Sequence, residues 1–102
     1  MQISVSNNGK AATTLKLAGR FDFNAHRDFR SSYEEALNTS GINELILDMR
    51  GVDYLDSSAL GMLLLLKEKA APSNVKINII NCQSTVKMIL EVANFNKLMS
   101  IS

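Results

Sequence analysis

Apolar and polar residues alternate in two short segments near the start of the chain, a pattern typical of strands with one buried face. The first segment contains Ile3 and Val5, and the second covers residues 13–18. Between them lies Asn7-Asn8-Gly9, whose residue types tolerate the positive φ angles of tight turns. We therefore predict an N-terminal β-hairpin whose second strand ends at Gly19.

Two later segments have the spacing of helices. In residues 25–37 the apolar side chains recur on one stripe, which predicts an amphipathic helix with Asn24 as its N-cap. Residues 58–70 are apolar nearly all round, which predicts a deeply packed helix. Its N-cap is Asp56 or Ser57, because both residue types accept hydrogen bonds from the first turn of a helix.

Two further strands are expected in the second half of the chain. A continuous apolar run within residues 44–49 predicts a central strand covered on both faces. Alternation over residues 75–79 predicts another strand, and the polar and glycine-containing residues 51–56 predict a loop.

The end of the chain completes the pattern. Residues 85–93 predict a third helix, with Ser84 as its cap and Asn94 in the left-handed conformation after it. Residues 98–101 predict a short last strand or coil.

The order of elements is β-β-α-β-α-β-α, with a possible last β. It predicts an α/β fold in which a mixed sheet of four to five strands packs against three main helices. The length suits a single domain over residues 1–102.

Charge and composition exclude several classes of function. The chain has 11 basic and 10 acidic residues, and no Lys/Arg block, so we expect no direct binding of nucleic acid. Cys82 is the one cysteine and cannot form an internal disulfide, which fits a reducing compartment. The longest apolar run, residues 59–66, is too short to span a bilayer. We expect a cytoplasmic protein with no direct membrane insertion.

The residues of known catalytic and metal-binding motifs are mostly absent, and Asp53 and Asp56, three positions apart, make a poor transition-metal site without a histidine. With His26 and Cys82 as the only residues of their types, a cluster of histidines and cysteines around a metal ion is excluded. The glycines are scattered, so no phosphate-binding loop is present, and Ser57 lies in no nucleophile elbow. We expect no enzyme activity, no catalytic residues, no metal and no cofactor.

The segment Leu55-Asp56-Ser57-Ser58-Ala59-Leu60-Gly61 joins a buried strand to a buried helix. Taken alone, its polar residues are explained by helix capping. The segment also resembles the D-S-[ST]-G-L-G signature of the STAS family. Two further segments resemble the family. The segment before its first helix is similar to Leu17-Ala18-Gly19-Arg20-Phe21-Asp22, and the turn after its last helix is similar to Asn94-Phe95-Asn96-Lys97-Leu98.

This resemblance implies a function that the residue pattern alone does not. The chain resembles the anti-sigma factor antagonists of the family, in which the first serine after the aspartate is phosphorylated. That position is Ser57 here. The implied partners are an anti-sigma factor that is also a serine kinase, and a PP2C-type phosphatase. The residues implied at the partner-binding surface are Asp22, Asp53, Asp56, Ser58 and Ala59.

Two positions depart from the family pattern, and one alternative stays open. Arg20 stands where an acidic residue is common, and Ala59 where glycine is common. The alternative is a cytosolic accessory subunit of a membrane transporter, such as an ABC-type lipid transporter. Such subunits commonly carry threonine near the switch position, so Asp56-Ser57-Ser58 favours the antagonist.

Overall fold

The computed structural model describes residues 1–7, 11–39 and 41–102. The strands are β1 (Gln2–Asn7), β2 (Ala12–Phe21), β3 (Glu44–Leu55), β4 (Lys76–Ile80) and β5 (Ser100–Ile101). The helices are α1 (His26–Leu37), α2 (Ser57–Ala70) and α3 (Ser84–Val92). Single 3-10 turns cover Phe23–Ala25, Ala71–Ser73 and Phe95–Lys97.

The five strands form one sheet in their chain order, β1-β2-β3-β4-β5. β1 is antiparallel to β2, and the remaining neighbours are parallel, so the sheet is mixed. The predicted order, including the short last strand, is confirmed. The N-terminal strands pair as expected, with Ile3 opposite Leu17. The predicted turn of this hairpin falls on Asn8 and Gly9, which lie outside the described residues.

The core lies on one face of the sheet. Leu15, Leu47 and Ile79 are aligned across β2, β3 and β4, and all three are buried. Lys16 and Asp48 form the next pair along and lie on the opposite face, where both are at least partly exposed. Right-handed crossovers between neighbouring parallel strands place their helices on the same side, so α1, α2 and α3 cover the Leu15 face. The prediction of a central strand covered on both faces is therefore correct for one face only.

An aromatic cluster attaches α1 to the end of β2. The Phe29 ring centroid is 4.9 Å from that of Phe21 and 5.3 Å from that of Tyr33, and all three residues are buried. Tilted and edge-on ring contacts of this kind stabilise a core beyond the area that they bury. The cluster fixes the position of Phe21, the last residue of β2.

The strands β2 and β3 are longer than predicted. β2 continues through Gly19, which adopts a φ of 103°, to Phe21. β3 continues as far as Leu55, so the loop predicted for residues 51–56 is wrong. The register between the strands shifts twice, once between Lys16 and Ala18 and once after Gly19. These β-bulges insert extra residues without ending the pairing, which is why glycines that suggested a break lie inside strands.

Gly51 is required by this irregular pairing. A Cβ atom at Gly51 would lie 2.8 Å from the Cβ of Ala18 and 3.1 Å from the carbonyl oxygen of Leu17. Such distances are shorter than van der Waals contact, so only glycine allows β2 and β3 to approach this closely.

The predicted helix caps are only partly correct. Asp22, and not Asn24, supplies the side-chain cap before α1, and it caps the 3-10 turn that precedes the helix. Ser84 is the first residue of α3 rather than its cap, and the capping position is held by Gln83 without a side-chain bond. Asn94 adopts the left-handed conformation with a φ of 64°, as predicted.

The helix α2 is packed on one side only. Ala59, Met62, Leu63, Leu66 and Ala70 face the core. Leu64 and Leu65 are 39% and 46% exposed, so the prediction of a deeply buried helix is wrong for its outer side. Within the described residues, no helix is both long enough and apolar enough to cross a membrane.

Candidate functional site

The predicted site residues converge where β2 and β3 end. Phe21 and Leu55 are the last paired residues of the two strands. The amide of Asp56 donates a hydrogen bond to the carbonyl oxygen of Phe21, at 3.3 Å. Asp22 and Asp56 therefore leave the sheet as neighbours, one toward α1 and the other into α2.

Asp56 is the N-cap of α2, which settles the choice between Asp56 and Ser57. Its Oδ1 atom accepts a hydrogen bond from the amide of Ala59, at 3.0 Å, and its backbone is extended. This bond satisfies one of the amides that the first turn of a helix leaves without a partner. The side chain of Ala59 is fully buried.

The two serines that follow this cap differ in exposure. Ser57 is the first residue of α2 and is exposed, whereas Ser58 is half-buried. The hydroxyl that the resemblance singles out is therefore open to a protein that approaches the end of the sheet. A phosphate on it would lie at the positive end of the helix dipole.

Asp53 is placed by the second bulge. Gly19 pairs with Val52 and Arg20 pairs with Tyr54, so Asp53 is the extra residue of β3. An extra residue in a bulge is left out of the ladder and its side chain is redirected. Asp53 is exposed. The structure thus places Asp22, Asp53 and Asp56 at the same end of the sheet.

Asp22 has two contacts of its own. Its Oδ1 atom accepts a hydrogen bond from the amide of Asn24, at 3.0 Å, and its Oδ2 atom lies 3.5 Å from Nε of Arg20. Arg20 also places its guanidinium over the ring of Tyr54, 4.0 Å from the ring centroid. Arg20, one of the two residues that depart from the family pattern, therefore places a cation beside the carboxylate of Asp22.

Sequence reasoning missed the apolar part of this surface. Phe23, which follows Asp22, is 73% exposed, and Tyr54 is 40% exposed. On α2, the outward residues recur at helical spacing, and we call Ser57, Gly61, Leu64 and Leu65 the α2 outer stripe. In the sequence, the helical spacing of Ser57, Gly61 and Glu68 indicates an exposed side of α2. The continuous apolar run between them obscured this pattern.

The remaining candidates for chemistry lie apart from one another. In the ranges 1–7, 11–39 and 41–102, no group of three or more His, Cys, Asp or Glu residues is arranged to hold a metal ion. His26 is the exposed first residue of α1. Cys82 is half-buried, and burial raises the pKa of its thiol, with Lys87 partly opposing the shift. The site thus presents a hydroxyl, acidic groups and exposed apolar side chains, which are the elements of a protein-binding surface.

Almost the whole chain matches known proteins in sequence. The family model described as STAS domain matches residues 2–102. A STAS-domain containing protein of Pseudomonas aeruginosa (strain UCBPP-PA14) is 47% identical over 89 residues, which are 87% of this chain and 86% of that protein.

Solved structures with a similar fold come from proteins of different kinds. The anti-sigma factor antagonist SpoIIAA in its unphosphorylated form superposes with a TM-score of 0.83 at 16% identity, over 99% of this chain and 88% of that one. The murine anion transporter Slc26a9 superposes with a TM-score of 0.80 at 18% identity. That match covers 94% of this chain but 17% of the transporter. At such identities, the likeness establishes the fold alone.

Proposed function

The chain belongs to the STAS domain family, and from this membership we propose that it is an anti-sigma factor antagonist. In this proposal it binds an anti-sigma factor, which is also a serine kinase, while Ser57 is unphosphorylated. Phosphorylation of Ser57 releases that partner, and a PP2C-type phosphatase restores binding. The pathway is cytoplasmic, and the chain itself catalyses no reaction.

The observation that carries the proposal is the exposure of Ser57 at a helix start that Asp56 caps. The hydroxyl is accessible, and the capping bond from the amide of Ala59 holds the first turn in place without it. Phosphate adds a charge of about −1.5 to −2 and three acceptor oxygens. Because the helix dipole favours negative charge at this end, the fold accommodates the modification.

The same charge is unfavourable for a bound partner. Asp22, Asp53 and Asp56 already give this end of the sheet an acidic surface, and Ser57 heads the α2 outer stripe, where Gly61 and Leu64 are exposed. A partner that covers this stripe would have to desolvate the phosphate beside apolar groups. Modification therefore weakens the interface directly, and no rearrangement of the domain is required.

The chain supplies a close control for the proposed phosphorylation site. Ser84 is also an exposed serine at the first position of a helix, at the start of α3. It differs from Ser57 in its capping residue, Gln83, which makes no side-chain cap bond. It also follows β4, whereas Asp22 and Asp56 follow β2 and β3. A loss of partner binding that is specific to the proposed phosphorylation site should therefore follow substitution of Ser57 and not of Ser84.

The test is to compare wild-type protein with Ser57→Ala, Ser57→Asp and Ser84→Asp as immobilised baits in lysate of the source organism. Mass spectrometry identifies the captured proteins, and the purified partner is then supplied with ATP. We expect an anti-sigma factor kinase on every bait except Ser57→Asp, which should lose at least about tenfold in affinity, or about 1.4 kcal/mol. Phosphate should be mapped to Ser57 and not to Ser84.

Two results would overturn the proposal. Capture of transporter subunits by all four baits alike would identify an accessory subunit of a membrane transporter instead. A kinase that binds Ser57→Asp as tightly as the wild type would show that charge at this position does not control the interaction.

A further inference from the structure

The two edges of the sheet differ in how well they are protected from pairing with another strand. β5 is an edge of only two residues, Ser100–Ile101, and short edges offer little to pair with. β1 is an edge of six residues, Gln2–Asn7. It pairs with β2 without a register shift, so no bulge turns it away from a neighbouring strand.

The composition of β1 also leaves it open. Its sequence, QISVSN, contains no charged residue and no proline, which are the residues that usually block a sheet edge. Among the described residues, the backbone groups of Gln2 to Ser6 make no hydrogen bonds outside the sheet. Val5 is 59% exposed although it lies opposite Leu15, on the face that carries the core.

We propose that β1 is a homodimer interface, in which the β1 strands of two copies pair antiparallel across a two-fold axis and join the sheets into one. Antiparallel pairing of a strand with itself is the symmetric form of strand addition at an edge. It satisfies the outward backbone groups of both copies at once. The neutral sequence brings no like charges into contact.

The side chains select the register of this pairing. Directly opposed residues of an antiparallel pair lie on the same face of the sheet, so the two-fold axis passes midway between the two copies of one residue. With the axis at Ser4, Ile3 of each copy lies opposite Val5 of the other, and the exposed Val5 gains an apolar neighbour. The two Lys16 side chains are then separated by three strand spacings, roughly 14 Å, which exceeds the Debye length at physiological salt.

The dimer is compatible with partner binding at Ser57. A two-fold axis perpendicular to the sheet reverses the direction of the strands between copies. The ends of β2 and β3, and with them the two Ser57 sites, therefore point in opposite directions. Each copy keeps its own Ser57 surface free. The dimer rests on the edge geometry alone and does not depend on the proposed function.

Sedimentation velocity over a range of protein concentrations tests whether the dimer forms. We expect wild-type protein to dimerise and Val5→Lys to weaken the dimer at least about tenfold, because a lysine on an edge strand opposes pairing. The matched control is Val92→Lys, at a residue of α3 that is 78% exposed and remote from β1. It should dimerise like the wild type. Circular dichroism establishes that each variant is folded.

Cysteine cross-linking tests the register in a Cys82→Ala background. In the proposed register the two Ser4 residues face each other with Cα atoms about 4.5–5.5 Å apart, which suits a disulfide. Ser4→Cys should therefore form covalent dimers under mild oxidation. Ser6→Cys should not, because its two copies are four residues out of register, roughly 13 Å apart along the strands.

Several outcomes would overturn the proposal. Wild-type protein that stays monomeric at its highest soluble concentration would show that the β1 strands of two copies do not pair. Val5→Lys that dimerises like the wild type would place the interface elsewhere. Cross-linking of Ser6→Cys as fast as Ser4→Cys would exclude the register.

Discussion

The guanidinium of Arg20 lies 4.0 Å from the centroid of the Tyr54 ring, and the two residues are cross-strand partners at the ends of β2 and β3. The same side chain places Nε 3.5 Å from Oδ2 of Asp22. Arg20 is 65% exposed, so the ion pair alone contributes little to stability. Through its two contacts, Arg20 links Tyr54 at the bulged end of β3 to Asp22, the residue that leads into α1.

We predict a measurable coupling between Arg20 and Tyr54. A double-mutant cycle with Arg20→Ala and Tyr54→Leu, measured by urea unfolding, should give a coupling free energy of about 0.5–1 kcal/mol. Each substitution removes one partner of the contact between the guanidinium and the ring, so the cycle isolates that contact. As a control, the effects of Arg30→Ala on the exposed surface of α1 and of Tyr54→Leu should be additive. Strictly additive effects of Arg20→Ala and Tyr54→Leu would contradict the prediction.

A second prediction separates the two properties of Asp56, its capping bond and its charge. Asp56→Ala removes the acceptor for the amide of Ala59 and should lower the free energy of unfolding by about 1 kcal/mol. Asp56→Asn keeps an oxygen acceptor and should stay within a few tenths of a kcal/mol of the wild type. Urea unfolding measures both changes. Equal losses in the two variants would show that the charge, rather than the cap, stabilises α2.

Periodicity in the sequence predicts the order of the strands and helices better than it predicts where they end. The order of elements was predictable because alternating and helical spacing follow one another clearly along the chain. The ends of β2 and β3 were not, since Gly19 and Gly51 suggest chain breaks when read locally. In the structure both glycines belong to a bulged ladder, and Asp53 is the extra residue of its second bulge. A bulge depends on the register between two strands, which neither strand contains alone.

The residues of the candidate site were less predictable from the sequence than the order of the strands and helices. Local chemistry left Asp56 and Ser57 as equal capping candidates, and only the geometry of the first turn shows that Asp56 accepts the bond. The interest in Ser57 came from the family resemblance, because no pattern in the surrounding residues marks a phosphorylated hydroxyl. The exposed Leu64 was missed, since the outer side of α2 is nearly as apolar as its inner side. Exposure there depends on where the other elements pack.

A third prediction compares two glycines in different surroundings. Gly51→Ala would bring its Cβ to 2.8 Å from Ala18 and should destabilise the fold by about 1–3 kcal/mol. Gly61→Ala meets nothing within 4 Å and removes a flexible residue from α2, so it should be neutral or stabilising by up to about 1 kcal/mol.

Both variants also have a second readout. Ala18→Gly should partly rescue Gly51→Ala, because it removes the nearest atom, and the double variant measures this by urea unfolding. Because Gly61→Ala is expected to leave the fold stable, a loss of its affinity for the anti-sigma factor kinase would report a contact at the α2 outer stripe. A large loss of stability in Gly61→Ala would contradict the placement of this residue on an open surface.

The last prediction concerns alkaline pH. Burial raises the pKa of the Cys82 thiol above its ordinary value of 9.0. Burial, followed by the negative charge of Glu34, raises the pKa of Tyr33 above 10.0, with Arg30 opposing the shift. Both groups thus hold their protons more tightly in the folded state than in the unfolded state. Their contribution to stability is complete below the unfolded pKa and is lost as the pH rises through the folded pKa.

We therefore expect the free energy of unfolding to fall as the pH rises above 9.0, and more steeply above 10.0. Lysine residues also begin to lose protons in this range, so the wild-type curve alone does not isolate the two groups. Cys82→Ala and Tyr33→Phe each remove one titrating group, and each should flatten the curve relative to the wild type. Urea unfolding at a series of pH values measures the slopes. Parallel curves for all three proteins would mean that neither buried group is responsible for the loss of stability.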